Sequence, residues 1–222
     1  MIPVMIVPTL NQHDLCRQMI ASIDVKVDNL LIINNDSGND FWCDKNEMVA
    51  QMRVLNMPSN LGVSSSWNLG IKSYPMASWW FICSDDVIFH PGALAKIASE
   101  CAPNALTLST EWPNFQWFGV GEHVISSVGL FDEAIHPGNF EDDDFLWRVE
   151  SLAEEMGMHL RLVQVPHEHV QQATVFSSEY AALNQKTYAS NELYFQSKQA
   201  MGDLTSGEWQ LSRRRDNDWD HR

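Results

Sequence analysis

The chain has 222 residues, 45% of them hydrophobic, which suffices for one ordinary globular core. Its 29 acidic against 14 basic side chains give a formal charge of -15, which works against non-specific attraction to nucleic acid or anionic membrane. Met1 is followed at once by Ile2-Pro3 and an apolar run too short for a signal peptide or membrane span, and the four cysteines form no C-x-x-C pair; a cytoplasmic protein with buried thiols and no zinc knuckle is expected.

In chain order, short β-rich runs alternate with amphipathic stretches, the pattern of a mostly parallel sheet covered by helices. The strand runs are Val4 to Val7, Leu30 to Ile33, Arg53 to Leu55, Trp79 to Cys83 and Ala105 to Leu108. Between them, Asp14 is expected to cap a helix carrying Leu15, Met19, Ile20 and Ile23 on one face. A second helix follows Ser64, and a third runs from Pro91-Gly92 to about Cys101. Beyond residue 110 the pattern changes to aromatic loops around Trp112, Phe115, Trp117 and Phe118, a short Val124-Ile125 strand, and a Gly129 to Glu133 turn. An acidic run then opens a helix from about Phe145 to Met156, Val163 and Val165 mark one more strand, and Ser178 to Gln199 reads as helix. The expected organisation is a single domain over 1–200, in two halves that change character near residue 110 (1–110 and 111–200), with a charged tail at 201–222.

Each strand run ends in turn-prone polar residues: Pro8-Thr9-Leu10-Asn11, Asn34-Asn35-Asp36, and Ser84-Asp85-Asp86. Open α/β sheets bind ligands outside the carboxyl ends of their strands, so these clusters are expected to share a crevice. Two adjacent carboxylates at Asp85 and Asp86 repel unless hydrated or bridged by a cation, although an acidic helix cap looks similar. Glu141-Asp142-Asp143-Asp144 opens a helix on which Arg148 lies four residues from Asp144; that pair can lock while Asp142 faces the crevice as a general base. The bland alternative is negative charge stabilising a helix N-terminus. His167 and His169 share one face of an extended segment, and either can add an imidazole to the carboxylates, a ligand mixture that leans to Mn²⁺ over Mg²⁺. Trp112, Trp117 and Phe118 offer aromatic faces to an acceptor ring, with core packing as the rival.

These blocks, taken in order over roughly residues 3 to 200, resemble glycosyltransferase family 2, the inverting GT-A enzymes, and especially its rhamnosyltransferase-like members. Val7 to Asn11 is similar to the first strand and its nucleotide turn. Ile33 to Ser37 resembles the second-strand signature, with Asn34 where an acid usually meets the base. Asn60-Leu61-Gly62 and Asn68-Leu69-Gly70-Ile71 resemble the family's Asn-x-Gly pair. Ile82 to Val87 resembles the metal motif, with Asp86 at the metal position. Val128 to Glu133 and Phe140 to Arg148 resemble the blocks in which Asp142 is the base. His169 with Ala173-Thr174 resembles a later histidine block, with Gln172 replacing its glycine.

The resemblance implies a Rossmann-like GT-A fold and transfer of a sugar from a nucleoside-diphosphate sugar to an acceptor hydroxyl, with Mn²⁺ or Mg²⁺ on Asp86 and one of the histidines. It makes 1–110 the nucleotide-sugar-binding half and 111–200 the acceptor and catalytic half, and it implies donor contacts from Pro8, Thr9, Asn11, Asn34, Asp36, Asn60, Gly62, Asn68, Ser84, Asp85 and Glu141. The acceptor is left open among a glycan, a protein side chain and a hydroxymethylated DNA base; acidity weighs against DNA, and Arg213 to Arg215 weigh for it. Two rivals stand beside this reading. Nucleotidyltransfer normally needs a Gly-rich, basic phosphate loop after the first strand, which Pro8 to Leu15 lacks. A non-catalytic sugar-nucleotide binder or scaffold is the other.

Overall fold

The computed structural model describes residues 1–112, 114–169 and 178–206. In chain order its elements are β1 (Ile2–Thr9), α1 (His13–Ala21), β2 (Val27–Asn34), β3 (Val49–Asn56), α2 (Val63–Ser73), β4 (Trp79–Cys83), β5 (Val87–Phe89) and α3 (Ala93–Glu100). There follow β6 (Ala105–Ser109), a 3₁₀ turn (Asn114–Gln116), β7 (Trp117–Gly121), α4 (Glu122–Val128), α5 (Glu141–Met156), β8 (His159–Val163), β9 (His167–His169) and α6 (Ser178–Met201). Seven strands form one sheet in the order β3-β2-β1-β4-β7-β6-β8, and β5 pairs separately with β9. Every pairing in the large sheet is parallel except those of β7, which runs antiparallel to both β4 and β6.

The middle of the sheet is covered on both faces, which is why β1, β4 and β6 read as apolar runs, while the edge strands β3 and β8 are largely exposed. Met5 and Val7 of β1 pack on one side with Met19 and Ile20 of α1 and Leu94 and Ile97 of α3. Their alternating neighbours Val4 and Ile6 pack on the other with Trp67 and Ile71 of α2, Val124 and Ile125 of α4, and Phe145 and Val149 of α5. Helix α2 lies close on β1 because Gly70 has no side chain; a Cβ there would sit 2.5 Å from Ile6 Cγ2. Strand order reverses between β1 and β4, and the crevice expected at such a switch point opens at their carboxyl ends.

Four expectations are corrected. Val124-Ile125 lies in helix α4, not a strand. Trp117 and Phe118 belong to the buried strand β7, not to loops. Helix α5 begins at Glu141, one turn earlier than expected. Asp14 lies inside the first turn of α1, where it pairs with Arg17 at 2.7 Å, and the cap position is Gln12.

Candidate functional site

A cleft of about 540 Å³ opens where β1 and β4 end. Its floor is Pro8, Thr9 and Leu10 after β1 and Ser84, Asp85 and Asp86 after β4. One wall is Asn35, Asn60 and Gly62 with Trp67 of α2; the opposite wall is Asn139 to Asp143 at the start of α5. His169, Trp112 and Tyr188 complete the rim. Asp86 and Asp142, 56 positions apart in the sequence, therefore face one concavity.

The β5–β9 ribbon explains how His169 arrives. Its register sets His169 opposite Val87, so the imidazole stands beside the preceding residue, with Nε2 3.3 Å from Asp86 Oδ1. Asp85 is 5% exposed, and burial, with the Asp86 charge adding to it, pushes its carboxyl up to about 7. Burial first, and the Asp143 charge second, push Asp142 up to about 6. Glu141 is raised well above the usual carboxylate range by its burial.

These groups fit a hard divalent cation. Asp85 Oδ2 and Glu141 Oε2 are buried in the cleft without a hydrogen-bond partner. No lysine or arginine is among the described residues lining it. No three His, Cys, Asp or Glu side chains among the described residues are grouped to hold a metal by themselves. A cation on Asp86 and His169 needs further oxygens, and small divalent ions commonly take these from water and substrate phosphates.

No protein-family model matches the chain, and no curated protein does. Among solved structures, glucosyl-3-phosphoglycerate synthase from Mycobacterium tuberculosis, in complex with Mn²⁺, uridine diphosphate and phosphoglyceric acid, superposes over 87% of this chain and 78% of its own, at TM-score 0.54 and 11% identity. The chain has the GT-A fold. TarS of S. aureus matches over 74% of this chain at TM-score 0.49 and 11% identity, and this chain spans only 35% of its length. Inositol-1-phosphate CTP transferase from T. maritima matches over 83% of this chain and 96% of its own, at TM-score 0.43 and 15% identity.

Within the GT-A fold, Pro8, Thr9, Asn60, Gly62, Ser84, Asp85, Asp86, Glu141, Asp142, His169 and Trp112 come together in the cleft. Gly62 is required there: its φ is 80°, and a Cβ would sit 2.6 Å from His136 Nδ1. Other expected site residues stand elsewhere. Asn34 is buried at the end of β2, donating to Asn39 O (2.8 Å) and Asn56 Oδ1 (2.9 Å) and accepting from Asp36 N (3.2 Å). It ties strand ends together, and the cleft residue is its neighbour Asn35, which donates to Ser66 Oγ at 2.9 Å and accepts from Leu61 N at 3.1 Å. Asn11 is exposed with φ 60°, and Asp36 folds onto Gly38 N (2.9 Å) and Asn39 Nδ2 (3.0 Å); neither lines the cleft.

Asn68 clasps the Gly129 to Glu133 turn, donating to Phe131 O (2.8 Å) and Glu133 Oε1 (2.9 Å) and accepting from Phe131 N (3.0 Å). It is a fold residue that links two blocks of the sequence. His167 packs edge-on against Trp117, with Nε2 3.0 Å from Gln116 Oε1 and Nδ1 2.9 Å from Val165 O, and its side chain is 1% exposed. It stands outside the cleft. Trp117 and Phe118 are fully buried core residues with no face for an acceptor, whereas Trp112 is 79% exposed at the rim. Gln172, Ala173, Thr174 and Arg213 to Arg215 lie outside the described residues. Sequence reasoning missed Asn35, Phe115, Asn139, Phe140 and Tyr188, all of which line the cleft.

No helix among the described residues is long and apolar enough to cross a membrane.

Proposed function

We propose that this protein is a metal-dependent, inverting glycosyltransferase related to the rhamnosyltransferase-like members of family 2, taking a sugar from a nucleoside-diphosphate donor to an acceptor hydroxyl. The observation that carries the reading is the meeting of Asp86, His169 and Asp142 in one cleft whose described lining offers no lysine or arginine. A diphosphate placed among five carboxylates is repelled unless a cation accompanies it, and the Asp86 and His169 pair is the place to hold one. When bound, Mn²⁺ or Mg²⁺ supplies Lewis-acid stabilisation of the departing diphosphate.

The protein's own share is positioning and proton transfer. Asp142 takes the proton of the acceptor hydroxyl while the new bond from that oxygen to the anomeric carbon forms. The bond from the anomeric carbon to the diphosphate oxygen breaks on the opposite face, and the configuration inverts. Asp85, Thr9, Asn35 and Asn60 supply polar contacts for the donor, and Trp112 stacks on the acceptor. The acidity of the cleft favours an uncharged glycan or protein hydroxyl over a polyanionic DNA acceptor. A nucleotidyltransferase is disfavoured for want of a lysine or arginine against the phosphates among the described lining residues.

Thermal unfolding with UDP-, GDP- and dTDP-sugars, with and without Mn²⁺, tests the donor reading, because a ligand that binds only the folded state raises its stability. Manganese-dependent release of the nucleoside diphosphate separates an enzyme from a pure binder. If no nucleoside diphosphate stabilises the fold in the presence of Mn²⁺, the proposal fails.

A further inference from the structure

Helix α6 meets the segment that carries Asp142 at nearly every step. Asn191 Nδ2 donates to the carbonyls of His136 (3.3 Å) and Gly138 (2.9 Å). Asn139 Nδ2 donates to Asn184 Oδ1. The Phe140 ring packs edge-on against Tyr188 with centroids 4.9 Å apart, and Phe195 lies 6.2 Å from both Phe140 and Trp147. Lys198 is 1% exposed, with Nζ 2.7 Å from Asp132 Oδ2 and 2.6 Å from Asp144 Oδ1. Tyr194 donates to the same Asp132 oxygen at 3.0 Å.

The held segment needs holding. Asn139 and Phe140 have φ of 69° and 73°, a left-handed backbone that favours glycine and persists for a ring-bearing residue only when its surroundings over-determine it. These two residues immediately precede Glu141 and Asp142, so their backbone sets the direction in which the first turn of α5 enters the cleft. The charged groups behind that turn close into a neutral quartet of Asp132, Asp144, Arg148 and Lys198. Within it Arg148 Nε donates to Asp144 Oδ2 at 2.8 Å, and its other nitrogens donate to Val128 O (2.9 Å) and Leu130 O (3.0 Å). Separating any of these partners would leave an uncompensated buried charge, so the quartet ties α6 to α5 and to the 129–133 turn.

We propose that α6 is a brace for the catalytic base, with Asn191 and Lys198 as positioning residues that hold the 138–144 turn so that Asp142 faces the donor. The assignment of Asp142 as base rests on the proposed transferase function; the bracing of the turn does not. Neither residue lines the cleft, and a misplacement of about 1 Å at a reacting group costs on the order of 10²-fold in rate.

The test uses the full chain carrying Asn191→Ala or Lys198→Met, with Leu193→Ala, at an exposed position of α6, as control. Backbone hydrogen exchange over 138–145 is measured beside manganese-dependent nucleoside-diphosphate release from UDP-glucose, GDP-mannose and dTDP-rhamnose. Exchange over 138–145 should quicken by about tenfold or more while β1 and β4 stay protected. The kcat should fall by roughly 10- to 100-fold with donor KM unchanged, and the control should match the parent. Unchanged exchange in the turn overturns the brace, as does a kcat held at the parent value with a raised donor KM. Should Lys198→Met not fold, Asn191→Ala decides, because it removes two hydrogen bonds and no charge. If the parent protein releases nucleoside diphosphate from none of the donors, the transferase reading falls, and the exchange measurement still decides the brace.

Discussion

Replacing Asp142 by asparagine should abolish transfer and at the same time stabilise the fold, and the pair of effects separates a base from a structural acid. The half-buried setting and the Asp143 charge beside it push the carboxyl up to about 6, against an ordinary 3.8. At about 1.4 kcal/mol per pH unit, ionising it in the folded protein costs roughly 3 kcal/mol. Water in the open cleft and the lost interaction with the N-terminal end of α5 reduce this to about 1–2 kcal/mol. The sign follows from linkage. A carboxyl whose folded pKa is raised contributes stability that is complete below about pH 4 and is lost as pH rises through about 6. Asparagine keeps the shape, and its Oδ1 can still accept from Asp143 N, where the parent bond is 3.0 Å. Urea unfolding of metal-free protein should therefore give equal stabilities at pH 4 and a gain for Asp142→Asn at pH 8. Turnover should fall by about 10²- to 10⁴-fold, and the parent rate should rise with pH through about 6 before levelling. A variant that keeps its turnover, or that is less stable than the parent at pH 8, refutes the reasoning.

Asp86→Asn and His169→Ala should each remove the manganese-dependent thermal shift produced by a nucleoside diphosphate, which at a hundredfold excess over Kd is roughly 5–10 °C in the parent; a full shift in either variant rejects the ligand pair. Lys198→Met should cost about 3–5 kcal/mol in urea unfolding by leaving an uncompensated buried charge. Adding Asp132→Asn should recover part of that loss, and no recovery would mean that charge balance is not the cause. Gly70→Ala should destabilise by about 1–3 kcal/mol through collision with Ile6, despite the gain of about 1 kcal/mol that alanine brings to a helix interior. Combined with Ile6→Ala it should cost less than the sum of the two single changes, as read by calorimetry.

The parallel half of the sheet was legible because β1, β2, β4 and β6 are β-rich runs bounded by turn residues, and so were the three polar clusters at their ends. Strand β7 was not legible, because Gly119 and Gly121 look like loop punctuation. They are there for room: a Cβ on Gly119 would meet Cys101 Sγ at 2.3 Å, and one on Gly121 the Pro103 carbonyl at 2.1 Å. The β-branched pair Val124 and Ile125 suggested a strand, and tertiary burial in α4 overrode that propensity. At the site, Asp86 and Asp142 were singled out because each stands in a run of acids at the end of an element and within a block that resembles a family motif, and the cleft brings the two runs together. Asn34 and Asn35 could not be told apart by composition, since only the side-chain direction at a strand end separates the tie from the cleft residue. The role of Lys198 had no local signal at all: a lysine in a helix reads as surface, and its burial depends on partners 54 and 66 positions away.

The two acidic clusters of α5 and its surroundings differ in how their charge is balanced, and that difference supports the proposed ligand site over a simple helix cap. Where acids serve the fold, at Asp132 and Asp144, the chain itself supplies Arg148 and Lys198 within 3 Å, and the burial of charge is balanced. In the same first turn of α5, Glu141, Asp142 and Asp143 face Asp85 and Asp86 across a cavity with no lysine or arginine among its described lining. The result is carboxyls pushed upward by burial and oxygens buried without partners. Among the described residues the chain neutralises one set of buried acids and not the other, and under the proposed function the second set is completed by the donor and its cation. A cation arriving with a diphosphate does that with a single complex, since each supplies the charge that the other lacks in this cleft.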